Sequence, residues 1–346
     1  MEFEYRAHET CGLRLNANES SLTPSSEVME TFQSLLACAE LNRYPDDDAI
    51  ELRQAFAQYY GLNPEQVIAG NGSDALLQLM ITAFCRDRKT LVMLSPDFGM
   101  YRFYTGCIQS QTAEFATDWN GEFDDDAFVQ FAKEHNAGLV LISNPNNPTG
   151  HLLSADRVRK LAKALDPVIL AMDEAYMNFS DQSMLHEVDQ IPNLIVTQTL
   201  SKAWGAAGMR CGFLYVSKPI IEKLLPYKIV YSVSTLDQLA ARAVLAHPQI
   251  MEENVKRISE EKKRIQKEIE AIGAYELGEM AANFYSLRMP EGGLSALEQA
   301  FAENGIVIRD YPDHSRIRIT IGLPEENDRV LDVLKEFAQK GGEAHA

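Results

Sequence analysis

Between residues 66 and 217 six short apolar runs recur, with helical patterns between them: "QVIAG", "TLVMLSP", "GLVLIS", "PVILAMDEAY", "LIVTQTLSK" and "CGFLYVS". Several are apolar at successive positions rather than at alternate ones, so both faces of each strand must be covered. A sheet between two layers of helices meets that demand, and the alternation specifies an α/β domain with a mostly parallel sheet. Sheets of this kind bind ligands in the crevice beyond the C-terminal ends of their strands. The residues that close each run are therefore the candidate site.

Beyond "YSVSTLDQ" the pattern changes. Residues 248–272 read as one long charged helix with Ile250, Val255, Ile258, Ile265, Ile269 and Ile272 along one side. The runs "NFYSLRM", "GIVIRDY" and "RIRITIG" then read as strands of a smaller unit. The expected organisation is a large α/β domain over residues 30–245, with an N-terminal arm (1–29) and a small α+β domain (246–346). A chain of 346 residues, 46% of them apolar, can fill both cores.

The balance of 32 basic against 50 acidic residues, a net charge of −18, argues against nucleic acid and anionic membranes as partners. It does not argue against a small anionic ligand, because a few local arginines outweigh a diffuse acidic surface. No run approaches the roughly 18 apolar residues of a membrane helix. The start "MEFEYRAHET" lacks the apolar centre of a secretory signal, so a cytoplasmic protein is expected. Cys11, Cys38, Cys85, Cys107 and Cys211 are scattered and read as buried thiols of a reducing compartment. The seven histidines show no metal-ligand spacing, and no metal site is expected.

Four segments at the ends of the runs carry chemistry. In "GNGSDALLQLM", Gly70 and Gly72 end a strand and Ser73 is placed to cap the helix that follows, whose N–H groups would face a phosphate. The same letters match the dinucleotide fingerprint G-x-G-x-x-A. Against that stand its place some 70 residues into the chain and the acid about 20 residues on, Asp97, which lies in a Ser-Pro-Asp turn. "NPNNPTG" is an irregular turn on the ligand side of the sheet, and Asn147 is its best-placed amide.

"PVILAMDEAY" ends in Asp173, Glu174 and Tyr176. A carboxylate closing an apolar strand is either solvated or partnered. As a partner for Asp173, a protonated pyridine nitrogen would keep an aromatic ring an electron sink. In "TLSKAWGAAGMRCG", Thr199, Ser201 and Arg210 are phosphate donors around Lys202. Lys202 is either a solvated helix-start residue or a Schiff-base amine. An aldehyde-bearing phosphate cofactor uses all of these groups, and pyridoxal phosphate is that cofactor.

"NPNNPTG", "MDEAY", "TLSKAWGAAGMRCG" and "RIRITIG" stand in the order and spacing that resemble fold-type I pyridoxal-phosphate aminotransferases. With "LNANES", "NRYPD" and "GNGSD" the resemblance narrows to the histidinol-phosphate aminotransferase type and spans about Tyr5 to Asn327. It implies that Lys202 forms the Schiff base and then moves the proton in the 1,3-shift. Asp173 would bind the pyridine nitrogen, and Tyr176 and Asn147 the phenolic oxygen. Thr199, Ser201, Arg210 and the Gly72–Ser73 backbone, with Asp74 beside them, would form the phosphate end. Phe98 would stack on the ring, and Tyr44 would reach the phosphate of the neighbouring subunit, so a homodimer is implied.

In "RIRITI", Ile317, Ile319 and Ile321 face one way and Arg316, Arg318 and Thr320 the other. The resemblance makes Arg318 the partner of a substrate carboxylate and leaves Arg316 at the surface. Arg309, Tyr5, Tyr231 and Asn18 fall near positions used around the substrate. Phe98 in place of a usual tyrosine, Ala75 where glutamate is frequent and "NESS" for "NENP" are departures, all near the substrate mouth. The implied reaction is L-histidinol phosphate plus 2-oxoglutarate giving imidazole acetol phosphate and L-glutamate, in histidine biosynthesis. An aromatic amino-acid aminotransferase and a threonine-phosphate decarboxylase share the fold and stand as alternatives.

Overall fold

A computed structural model describes residues 12–289 and 293–344 of the chain. The N-terminal arm carries β1 (Leu13–Arg14) and leads into helices α1 (Ser26–Leu36) and α2 (Ile50–Tyr60). The alternating segment follows: β2 (Val67–Asn71), α3 (Gly72–Phe84), β3 (Thr90–Ser95), α4 (Met100–Cys107), β4 (Gln111–Ala116), α5 (Asp125–Glu134), β5 (Ala137–Ser143), α6 (Ala155–Leu165), β6 (Ile169–Asp173), β7 (Leu194–Thr199) and β8 (Cys211–Val216). Strands β2 to β8 form one sheet in the order β2-β8-β7-β6-β5-β3-β4. β8 runs antiparallel to both its neighbours, and the remaining pairings are parallel.

All six apolar runs lie on strands of this sheet. Their doubly apolar character is explained by two cores, one per face. Val92, Val140, Ile142, Leu170 and Met172 pack on one side. Leu91, Met93, Leu139, Leu141 and Ala171 pack on the other, against Leu77, Met80 and Tyr101. The run that went unread is β4, "QTAEFA", an edge strand with exposed ends and partly buried residues between. An edge strand has one partner and is only half covered, so it lacks the apolar signature of the inner strands.

After β8 come α7 (Lys218–Leu224), α8 (Thr235–Leu245) and α9 (Pro248–Ile272). The expected helix over 248–272 is present, with its buried stripe made by Met251, Asn254, Ile258, Glu261, Ile265 and Ile269. Ile250 and Val255 are half-buried against the large-sheet core, while Ile258, Ile265 and Ile269 belong to a separate core. That second core is built on β9 (Glu276–Leu277), β10 (Phe284–Arg288), α10 (Leu294–Glu303), β11 (Ile306–Val307), β12 (Arg309–Tyr311), β13 (Arg316–Thr320) and α11 (Pro324–Ala344). Four of these strands form a sheet in the order β12-β13-β10-β9. "GIVIRDY" is divided: β12 joins this sheet, and β11 pairs in parallel with β1. The arm is thereby fastened to the smaller sheet, with Leu15 N–H on Val307 O and Thr320 N–H on Leu15 O, both at 2.8 Å.

Two expectations fail on burial. Cys85 and Cys211 are buried thiols, but Cys38 and Cys107 are exposed, and Cys11 lies outside the described residues. Arg316, expected at the surface, is 1% exposed. It shares a face with Arg318, and that face is turned toward the loops of the large sheet. The Arg316 guanidinium lies 3.9 Å from the centroid of the Trp119 ring and donates to the Trp119 carbonyl. Arg288 approaches the same indole at 4.9 Å. Two guanidinium groups on one indole tie this loop to β10 and β13.

Candidate active site

The register explains why distant segments converge. Asn71 pairs with Cys211, Thr199 with Gly212, Asp173 with Thr197 and Ser143 with Asp173. The ends of β2, β5, β6 and β7 therefore lie level, and the antiparallel β8 starts at the same edge. A cavity of about 750 Å³ opens above that edge, closed on the far side by the arm and by β12 and β13.

Lys202 follows β7 and projects into this cavity. Its Nζ donates to Ala17 O at 2.8 Å and stands 5.8 Å from the Tyr176 ring centroid. Burial, and then the positive field of Arg318, pushes the amine down to about 8. A lysine near that value is available as a neutral nucleophile and base at neutral pH.

Asp173 lies at the floor, accepting from Tyr101 Oη at 2.8 Å and from Thr197 Oγ1 and the Ala175 N–H at 3.2 Å each. Burial raises its carboxyl above the usual range, while these donors pull it back. A buried carboxylate with no cation among its hydrogen-bonding partners in the described residues suits a cationic ligand atom. Tyr176 is buried beside it, its hydroxyl 2.9 Å from Asn18 Nδ2 and 3.5 Å from Asn147 Nδ2. Phe98 lines the cavity and meets Tyr101 edge-on.

The end of the cavity expected to take a phosphate fits an anion. Gly72 has φ +70°, and a β-carbon built there would collide with the Arg210 guanidinium. The positive φ favours glycine here, and any β-carbon would also push the Arg210 guanidinium aside. Ser73 is not the helix cap: Asn71 is, and Ser73 and Asp74 stand in the first turn, whose N–H groups have no partner within the helix. Thr199 Oγ1 and Ser201 Oγ are 3.0 Å apart in the cavity wall. Arg210 sits at φ 44°, a left-handed conformation costly for a side chain of this size. It pairs with Asp74 at 3.0 Å, and Tyr104 Oη also donates to Asp74 at 2.8 Å. The half-exposed Arg210–Asp74 pair is worth at most about 1 kcal/mol, so a phosphate dianion can displace it.

At the opposite end Arg318 is buried, donating to Asn147 Oδ1, Asn16 O and Tyr311 Oη, the last at 3.0 Å. Its Nε is buried without a hydrogen-bond partner among the described residues. Arg309 is exposed on the cavity wall near Tyr311.

The remaining expected residues stand elsewhere. Asn18 is buried below the cavity, where its amide holds Tyr176 and Thr320. Tyr44 is 81% exposed and stacks on Tyr231, with ring centroids 4.7 Å apart; neither lines the cavity. Tyr5 lies outside the described residues. Sequence reasoning missed Tyr101, Tyr104, Tyr311, Ser143 and the inward turn of Asp97. The spacing of Tyr101 and Tyr104 within "GMYRFY" was the available signal, since both fall on one face of α4.

A lysine, a buried aspartate and an anion cradle on this sheet define a fold-type I transferase of the pyridoxal-phosphate class. The chain matches the model for aminotransferases of class I and II across residues 11–334, and it belongs to that family. A histidinol-phosphate aminotransferase of Thermococcus gammatolerans is 35% identical over 338 residues, covering 96% of this chain and 93% of that protein. The histidinol-phosphate aminotransferase of Sinorhizobium meliloti, solved in complex with pyridoxal-5'-phosphate, superposes with a TM-score of 0.86 at 24% identity, over 95% of this chain and 91% of that one. L-threonine-O-3-phosphate decarboxylase of Porphyromonas gingivalis has a TM-score of 0.80 at 21% identity, over 94% and 99% of the two chains. Likenesses of that degree establish the fold.

Proposed function

We propose that this aminotransferase moves the amino group of L-histidinol phosphate to 2-oxoglutarate, giving imidazole acetol phosphate and L-glutamate. The observation that carries the reading is Lys202, a lysine lowered to about 8, standing between the Asp173–Tyr176 floor and the buried Arg318. The 35% identity to a histidinol-phosphate aminotransferase over nearly all of both chains favours this substrate.

The cofactor is pyridoxal 5'-phosphate, which when bound supplies an electron sink conjugated to the substrate α-carbon and a carbon that stores the amino group. Lys202 holds it and then takes the proton from the substrate α-carbon. Asp173 keeps the proton on the ring nitrogen, as its burial without a cationic partner suits. Tyr176 and Asn147 donate to the phenolic oxygen. Gly72, Ser73, Thr199, Ser201 and Arg210 hold the phosphate, with Asp74 contributing its backbone N–H while its carboxylate orients Arg210. Phe98 covers the ring face. Arg318 receives the carboxylate of 2-oxoglutarate with its spare Nε. Arg309, with Tyr5, belongs to the substrate-phosphate end, Tyr231 stands off this cavity with Tyr44, and Asn18 acts on substrate through Tyr176.

The same reading has residues 30–245 as the cofactor-holding domain and residues 1–29 with 246–346 as arm and small domain, in a cytoplasmic homodimer. Leu41, Tyr44, Ile229, Val230 and Tyr231 are exposed, and a second copy would cover them. Tyr44 then reaches the neighbour's phosphate.

The test is product analysis with cofactor-loaded enzyme, L-histidinol phosphate and 2-oxoglutarate. Stoichiometric glutamate without carbon dioxide is expected. Absence of glutamate, with turnover of phenylalanine instead or carbon dioxide from threonine phosphate, would overturn the substrate assignment.

A further inference from the structure

Asp97 belongs to a polar turn by composition, yet it is 6% exposed and forms part of the cavity wall after β3. Three donors converge on its carboxyl group. The Phe98 N–H, at 2.7 Å, and the Ser143 hydroxyl meet Oδ1, and the Ser143 N–H meets Oδ2 at 3.2 Å. Ser143 Oγ, with its proton directed at Asp97, accepts from the Asn147 N–H at 3.0 Å and from Asn146 Nδ2 at 3.3 Å. Asn147 in turn meets Arg318 through Oδ1 and Tyr176 through Nδ2. One carboxyl group thus ties together the residue over the ring face and the residue at the ring edge, which come from loops 46 or more residues apart in sequence.

We propose that Asp97 is a positioning residue of this site: through Ser143 it fixes Asn147 at the edge of the ring slot, while through the adjoining peptide it fixes Phe98 over the face. Remove the carboxyl group and the Ser143 hydroxyl is free to rotate, so that it no longer presents a lone pair to Asn147. Burial, and last the charge of Asp173, pushes Asp97 up to about 8, while the donors from Ser143 and Phe98 favour its charged form. The inference rests on the assignment of Asn147 to the cofactor's phenolic oxygen.

That assignment supplies a readout independent of substrate. A donor to the phenolic oxygen favours the deprotonated lysine–cofactor linkage, so loosening it raises the pH midpoint of the visible absorbance band. The charged groups facing Lys202, namely Arg318, Glu19, Asp74 and Arg210, are common to all variants. The experiment titrates the cofactor-loaded wild type, Asp97→Ala, Ser143→Ala and the double variant, without substrate. Each single variant is expected to raise the midpoint by about one unit, the effect of one hydrogen bond. The double variant is expected to go no further, because the two residues act in series. Half-reaction rates should fall about 10- to 100-fold, as for other supports of a reactive centre.

An unmoved midpoint in both single variants, or additive shifts in the double, would overturn the proposal. Should Asp97→Ala not fold, Ser143→Ala carries the test by itself, since it spares the Phe98 tether and removes the relay. Absence of any visible band in the wild type would instead reject the cofactor reading beneath it.

Discussion

Lys202 is held at a cost that its removal should reveal. In the unfolded chain its amine has the ordinary value of 10.5, and in the cofactor-free fold it stands at about 8. The unfolded chain binds the extra proton throughout the interval between them, so stability rises with pH from about 8 to about 10.5. Below 8 the deficit is complete: a difference of about 2.5 units, at 1.36 kcal/mol each, is about 3 kcal/mol. Lys202→Met keeps the length and apolar stem, removes the charge and forfeits the bond to Ala17 O, worth about 1 kcal/mol. The cofactor-free variant should therefore be about 2 kcal/mol more stable than wild type at pH 7. At pH 10 the remaining deficit is about 1 kcal/mol and the two proteins should be nearly equal. At about 2.1 cal/mol/K per residue, a chain of 346 residues unfolds with an entropy of about 0.7 kcal/mol/K, so the pH 7 difference is about 3 °C in Tm. Differential scanning calorimetry at both pH values reads it. A variant less stable than wild type at pH 7, or an advantage unchanged at pH 10, would refute the reasoning.

Three further outcomes follow from the site. Asp173→Asn should still take up the cofactor but lose roughly 100-fold or more in turnover, read in single-turnover amine reactions, because an amide does not hold the ring nitrogen protonated. Arg318→Gln should raise the KM for 2-oxoglutarate roughly 100-fold and harm the half-reaction with an amine that has no carboxylate far less, through Lys202 and Asn147 only; equal damage to both would contradict its role. Gly72→Ala forces a β-carbon into the Arg210 guanidinium at φ +70°, and equilibrium dialysis should show cofactor affinity reduced about tenfold or more.

The inner strands were readable because burial on both faces writes an uninterrupted apolar run, and the chemistry was readable because it closes those runs. Lys202, Asp173, Asn147 and Arg318 all surround one cavity. Arg316 shows where such reading stops. Period two states which residues share a face, but the cover over that face comes from Trp119, some 200 residues earlier. Asp97 escaped for the same reason, since its burial depends on Ser143 across the β3–β5 boundary. Asn18 carries the opposite lesson: its motif placed it near substrate, yet a backbone at φ 54° turns its amide beneath Tyr176 instead. Local sequence specifies an element and its faces, whereas the neighbour that meets a face is a property of the assembled chain.

The stitching of the arm to the smaller sheet has a mechanical meaning. Leu13 to Leu15 are bonded to β11 and β13, yet just beyond them Asn16 O is an acceptor for Arg318 and Ala17 O is the acceptor for Lys202. Lys202 and Arg318 are thus leashed to the same five-residue ribbon. Any change in the position of that ribbon would therefore reach both side chains at once rather than either alone.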